Sequence, residues 1–314
     1  MKTQNNLYKT KLYILNFIKN INIIFVILIL YQNSFEQLEI NLIINGKGIH
    51  NIINETFYLS PSQVKINGIV EETCKKSCKF GKELNNVTIK FDQILISCYK
   101  MFNILSNIIE IDLSKLDTSK VTNMLGMFSE CSNLEKITFG NINTSLVKNM
   151  AAMFYGCSKL TSIDVSNFDT SCVTTMQGMF SQCNSLLSID VSKFNTKNVE
   201  NLFDMFAFCY NLTSVDVSNF DTSKVKTMRG MFYYCYELKY LDLSNFNTSL
   251  VTDYRAVFSC LKSCKYINLY NFIILDEAEI DYLFDCISKE TLICINDDET
   301  KEKVKVKSLW NDFF

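Results

Sequence analysis

The amino-acid sequence predicts an α/β solenoid, a stack of 26-residue strand-turn-helix coils behind an N-terminal β-rich cap. Three observations carry this expectation. From Met127 to Gly230 one block recurs four times at a spacing of 26 residues, opening as MFSECSNL, MFYGCSKL, MFSQCNSL and MFAFCYNL. The frame continues without insertion or deletion to Met101-Phe102 before it and to Met231-Phe232, Val257-Phe258 and Leu283-Phe284 after it. Within each block the apolar spacing changes from two to three or four. A fixed period of this kind marks stacks in which each unit buries its apolar face against its neighbours.

In the first half of a block, Ile163, Asp164 and Val165 alternate, which is the period-2 signal of a short strand with Asp outward. In the second half, Val173, Met176, Met179, Phe180 and Cys183 form one apolar stripe at helical spacing. Asp169, Thr170 and Ser171 lie between the halves and supply short polar side chains suited to cap the helix. Stacking aligns Ile111, Ile137, Ile163, Ile189, Val215, Leu241 and Ile267 in one core column, and Phe168, Phe194, Phe220, Phe246 and Phe272 in another.

The segments Ile163 to Ser171 (IDVSNFDTS), Val225 to Phe232 (VxxMxxMF) and Cys235 to Leu238 (CxxL) resemble the 26-residue repeat of BspA-like leucine-rich-repeat surface proteins. The likeness covers about residues 98–275, more than half of the 314-residue chain. It implies a leucine-rich-repeat-like fold displayed on a cell surface for adhesion or other protein binding, without catalysis. It implies no particular ligand, because members of such families display different outward residues on one scaffold.

Composition narrows the classes further. Hydrophobic residues make up 48% of the chain, enough for a sizeable core, and the net charge of −2 gives nucleic acid no electrostatic footprint. One proline and nine glycines argue against a linker-rich protein. The division expected is 1–35 signal peptide or signal anchor, 36–97 β-rich cap, 98–282 repeats, and 283–314 degenerate terminal repeat and tail. Lys2, Lys9 and Lys11 precede the apolar run Leu12 to Tyr31, the layout of a secretory signal peptide. The rival is an uncleaved anchor that would hold the chain in the membrane, since twenty residues suffice to span it. In 36–97, alternation at Leu38, Ile40, Leu42 and Ile44, and the runs Val64–Val70 and Val87–Phe91, read as strands.

The 13 cysteines divide into groups. Cys74 and Cys78 read as a disulfide or as buried thiols; His50, the sole histidine, leaves a zinc site short of ligands. Cys131, Cys157, Cys183, Cys209 and Cys235 recur on the inward stripe, where Cys acts as a small hydrophobe, with coil-to-coil disulfides as the alternative. Cys260, Cys264, Cys286 and Cys294 lie off that column as candidates for pairing.

Function would sit on the outward strand positions. Asp112, Asp164, Asp190, Asp216 and Asp242 form one column, and Tyr240 and Tyr266 belong to its neighbour. Stacked carboxylates repel, so each accepts hydrogen bonds from its own turn, or the column binds a cation or a basic partner. Five N-x-S/T sequons, at Asn54, Asn86, Asn143, Asn211 and Asn247, are candidate glycosylation acceptors. No catalytic constellation, cofactor motif or metal-ligand set is recognisable. The expectation is a surface or secreted recognition protein with a protein or glycan partner. The alternatives are a membrane-tethered intracellular scaffold and a structural coat protein.

Overall fold

The structure is a computed structural model, which describes residues 38–307. The expected signal or anchor at 1–35 lies outside them. Strand β1 (Leu38–Asn45) buries Leu38, Ile40, Leu42 and Ile44 in strict alternation. It is followed by β2 (Gly48–Asn51), β3 (Gln63–Ile66), β4 (Ile69–Val70), β5 (Ser77–Phe80), β6 (Leu84–Phe91), β7 (Ile108–Lys115) and β8 (Lys136–Thr138). One six-stranded sheet runs β4-β3-β6-β1-β7-β8, and β2 pairs with β5 apart from it. In that sheet β1 lies antiparallel to β7, while β7 and β8 are parallel, Ile111 opposite Ile137. The N-terminal strands and the first repeats therefore share hydrogen bonds.

The repeats correct the predicted fold class. They do not form a leucine-rich-repeat-like α/β solenoid of strand-turn-helix coils. Among the described residues the one helix is α1 (Asp298–Lys307), past the repeats. The stripe from Val173 to Cys183 is a run of turns. Its amides alternate in direction. Met179 N donates to Met176 O, Ser181 N to Gly178 O and Cys183 N to Phe180 O, each three residues back. Between them Met176, Gly178, Phe180 and Gln182 donate to Asn201, Phe203, Met205 and Ala207 of the next repeat. An α-helix would use every amide within itself, four residues back. Left-handed φ angles at Gly178 (58°) and Gln182 (59°) produce the alternation, and the same pair recurs in every repeat from Lys100 and Ile104 to Tyr282 and Cys286. Glycine takes this conformation without strain, and Gly126, Gly156, Gly178 and Gly230 occupy four of these positions.

The strands of the repeats do not form one continuous sheet. Past β8 come β9 (Ser188–Ile189) paired with β10 (Ser214–Val215), and then β11 (Tyr240–Asp242), β12 (Tyr266–Asn268) and β13 (Leu292–Cys294) in a separate sheet. Ile163 lies in no strand, and Ile137 and Ile163 are half-buried rather than core. Register persists nonetheless through single parallel bridges linking Asn123, Asn149, Thr175, Asn201, Thr227, Asp253 and Glu279 in succession.

Inside, rings and hydroxyls hold neighbouring repeats together. Phe102, Phe128, Phe154, Phe180, Phe206 and Phe232 stack face to face at centroid spacings of 5.5–5.8 Å. Thr170, expected to cap a helix, is instead buried. Its Oγ1 donates to Asn195 O at 3.0 Å and accepts from Asn195 N at 2.7 Å. Thr118, Thr144, Thr196, Thr222 and Thr248 likewise donate their Oγ1 to a backbone carbonyl of the next repeat.

Candidate functional site

Past β7 the Asp column stands where the strands stop. Asp112 is in β7, Asp164 in no strand, Asp190 and Asp216 directly after β9 and β10, and Asp242 at the end of β11. Each carboxylate accepts the amide two residues on, at Ser114, Ser166, Ser192, Ser218 and Ser244, at 2.9–3.0 Å. Such Asx turns bend the chain away from the ladder, which accounts for strands of two or three residues. The serine hydroxyl and amide hold the carboxyls of Asp164, Asp190 and Asp216 below their usual range, outweighing repulsion along the column. Tyr240 and Tyr266 are register partners across β11 and β12, the first 62% exposed and the second half-buried. Among the described residues no cluster of His, Cys, Asp or Glu could hold a metal ion.

A second constellation lies on the turn leg. Phe208 stacks on Tyr234 at 5.3 Å and Tyr210 on Tyr236 at 5.2 Å, each pair spanning two successive repeats. Tyr233 meets Phe208 and Tyr234 edge-on at 5.2 and 4.3 Å. Lys262 Nζ lies 4.0 Å from the centre of the Tyr236 ring. All five rings are half-buried. Burial and the neighbouring Tyr234 hydroxyl push the Tyr233 phenol up to about 12.

Residues 96–207 and 164–272, together more than half of the chain, match the family described as Mycoplasma protein of unknown function, DUF285. The chain belongs to this DUF285 family. No curated protein and no solved structure matches it. Both the Asp column and the aromatic cluster of this DUF285 chain fall inside the matched residues.

The cysteines sort by burial. Those of the inward column donate to the carbonyls of Phe102, Phe128, Phe154, Phe180 and Phe206 in turn, at 3.0–3.2 Å. Burial pushes the Cys131 and Cys209 thiols up to about 12, so the nucleophilic thiolate is withheld. Cys74 is paired with Cys78, and Cys260 is paired with Cys286 of the next repeat. Cys264 and Cys294 are unpaired, as is the exposed Cys172. His50 Nε2 lies 2.9 Å from Lys47 O.

The sequons differ in what their side chains already do. Asn54, half-buried, donates its Nδ2 to Asn103 O, and Asn211 Nδ2 donates to Asn184 O; Asn86, Asn143, Asn211 and Asn247 are all exposed. Asn143 and Asn247 accept from Ser145 and Ser249, so they close the same turn that Asp closes in sister repeats.

Asp204 is a site residue that periodicity conceals. It sits at φ 53°, where the flanking repeats carry Gly178 and Gly230, and a Cβ at Gly230 would collide with its Oδ1. Burial pushes its carboxyl up to about 6, against the pull of Arg229. The folded-state value lies above the unfolded one of about 4, so ionisation opposes folding. The cost is absent below about pH 4, grows as pH rises, and is complete above about pH 7. Asp204→Asn, which tolerates the left-handed conformation, is expected to stabilise the chain by about 1 kcal/mol at pH 7.5 after allowing for solvent screening. Urea melts at pH 7.5 and pH 4 check this, and the gain should vanish at pH 4.

Proposed function

We propose that this DUF285 protein is a non-catalytic recognition protein, displayed at the cell surface or secreted, whose repeats present outward side chains to a protein or glycan. The observation that carries the reading is the unbroken chain of parallel bridges from Asn123 to Glu279, which fixes outward positions in register over seven repeats. A rigid array of this kind loses little freedom on binding. The resemblance to BspA-like leucine-rich-repeat surface proteins supports the same reading through its repeat motif. Two disulfides, Cys74–Cys78 and Cys260–Cys286, suit an oxidising compartment. The withheld thiolates of the inward column suit a chain without nucleophilic chemistry.

Protease shaving of intact cells expressing the chain with a C-terminal tag tests the reading. Removal of the tag from outside is the expected result. A tag protected on intact cells, but cleaved once they are permeabilised, would overturn surface display and favour an intracellular scaffold.

A further inference from the structure

The repeats supply their own controls. The position of Phe208 and Tyr234 is held by Glu130, Gly156, Gln182 and Cys260 in other repeats; that of Tyr210 and Tyr236 by Ser132, Ser158, Asn184 and Lys262. At the position of Tyr233 stand Ser129, Tyr155, Ser181, Ala207 and Ser259. The same backbone is thus built mostly with non-aromatic residues, Tyr155 being the exception at these positions, and the five rings gather where two adjacent repeats meet. The scaffold does not require them. Phe208 and Tyr234 also sit at φ 60°, in the left-handed region where a bulky side chain is disfavoured and where Gly156 stands in a sister repeat.

We infer that Phe208, Tyr210, Tyr233, Tyr234 and Tyr236 form a binding site for one or two sugar rings of a glycan. The inference rests on the recognition reading above and places the glycan away from the Asp column. Size and charge select the ligand. Two repeats about 4.8 Å apart make a patch about 10 Å across, on the order of 100 Å², far short of the roughly 800 Å² per partner that a stable protein interface buries. Lys262 flanks the rings on one side, while Asp285 bears electrostatically on Tyr233. With both signs present the patch favours neither a polyanion nor a cation. Its phenol rings combine apolar surface with hydroxyls, matching a pyranose, which has apolar C–H faces and hydroxyl edges.

The test uses the full chain, saturation-transfer NMR with methyl glycosides of glucose, galactose, mannose and N-acetylglucosamine, and a printed glycan array. Tyr234→Gly places the residue of a sister repeat at the strained position, so the fold should survive, and circular dichroism and thermal melting verify this. Saccharide signals with the wild-type chain, at least tenfold weaker with Tyr234→Gly and Tyr236→Ala, are expected. Asp190→Asn combined with Asp216→Asn should leave them unchanged. The aromatic site is overturned if the wild-type chain gives neither a saccharide signal nor a glycan hit, or if the folded Tyr234→Gly variant binds like wild type. It is equally overturned if the Asp double variant alone loses binding, which would move the glycan to the strand face and leave the recognition reading standing. A tag protected from shaving would instead count against that broader reading.

Discussion

Phe180→Ala is expected to destabilise the chain by about 4 kcal/mol, the larger of the two stability effects argued for the core. The Phe180 ring is fully buried between Phe154 at 5.5 Å and Phe206 at 5.6 Å, with interplanar angles of 4° and 8°. Truncation removes buried apolar surface and leaves a void that its neighbours cannot close without moving. Both flanking rings are fixed by the backbone bonds from Phe154 N to Met179 O and from Phe180 N to Met205 O. Two stacked contacts, each worth about 1 kcal/mol, are lost together. Urea titration with far-UV circular dichroism measures the change, and the m-value shows whether unfolding remains cooperative. A loss below about 2 kcal/mol would mean that the stack collapses into the gap, contrary to the fixed spacing of its rings.

Thr170→Val comes next, with an expected loss of about 2 kcal/mol. Valine keeps the shape of threonine and removes the hydroxyl, which leaves both the N–H and C=O of Asn195 without their partner. Unpaired backbone groups at a buried contact cost more than the bonds themselves stabilised. Thr170→Ser keeps the oxygen and removes only a methyl, so it should cost about 1 kcal/mol or less. The contrast isolates the hydroxyl. Equal losses for Val and Ser would show that packing, not hydrogen bonding, gives the Thr column its role.

Register was legible because the period never slips, and so was most of the burial, Ile137 and Ile163 excepted. Any structure that stacks 26-residue units puts Phe128, Phe154 and Phe180 in one column, whatever the local backbone does. That these residues form turns rather than the expected helix was not legible from the same pattern. Val173, Met176, Met179, Phe180 and Cys183 face inward equally well on a helix and on turns closed three residues back, so spacing alone does not separate the two. The deciding signal was Gly126, Gly156, Gly178 and Gly230, recurring inside the supposed helix where glycine is a breaker. The strands failed at Ile163 for a related reason. The outward Asp that marked the alternation also closes an Asx turn and ends the ladder. In the candidate sites, the column that repeats most regularly has its carboxylates engaged by its own turns. The aromatic cluster departs from the repeat, so the 26-residue period carries no sign of it. Tyr233, Tyr234 and Tyr236 were visible in the sequence as deviations from Ser, Gly and Asn at equivalent positions.

The alternating amides of the turn leg bear on how such a protein changes length. Each repeat sends half of that leg's bonds to the next at one constant offset, as Gly178 does to Phe203 and Asp204 to Arg229. Excising or copying one whole unit leaves every donor facing an equivalent acceptor. Genes of this kind can therefore grow or shrink by unequal recombination in steps of one repeat without passing through a misfolded intermediate. Each added unit brings fresh outward positions whose side chains are free to diverge.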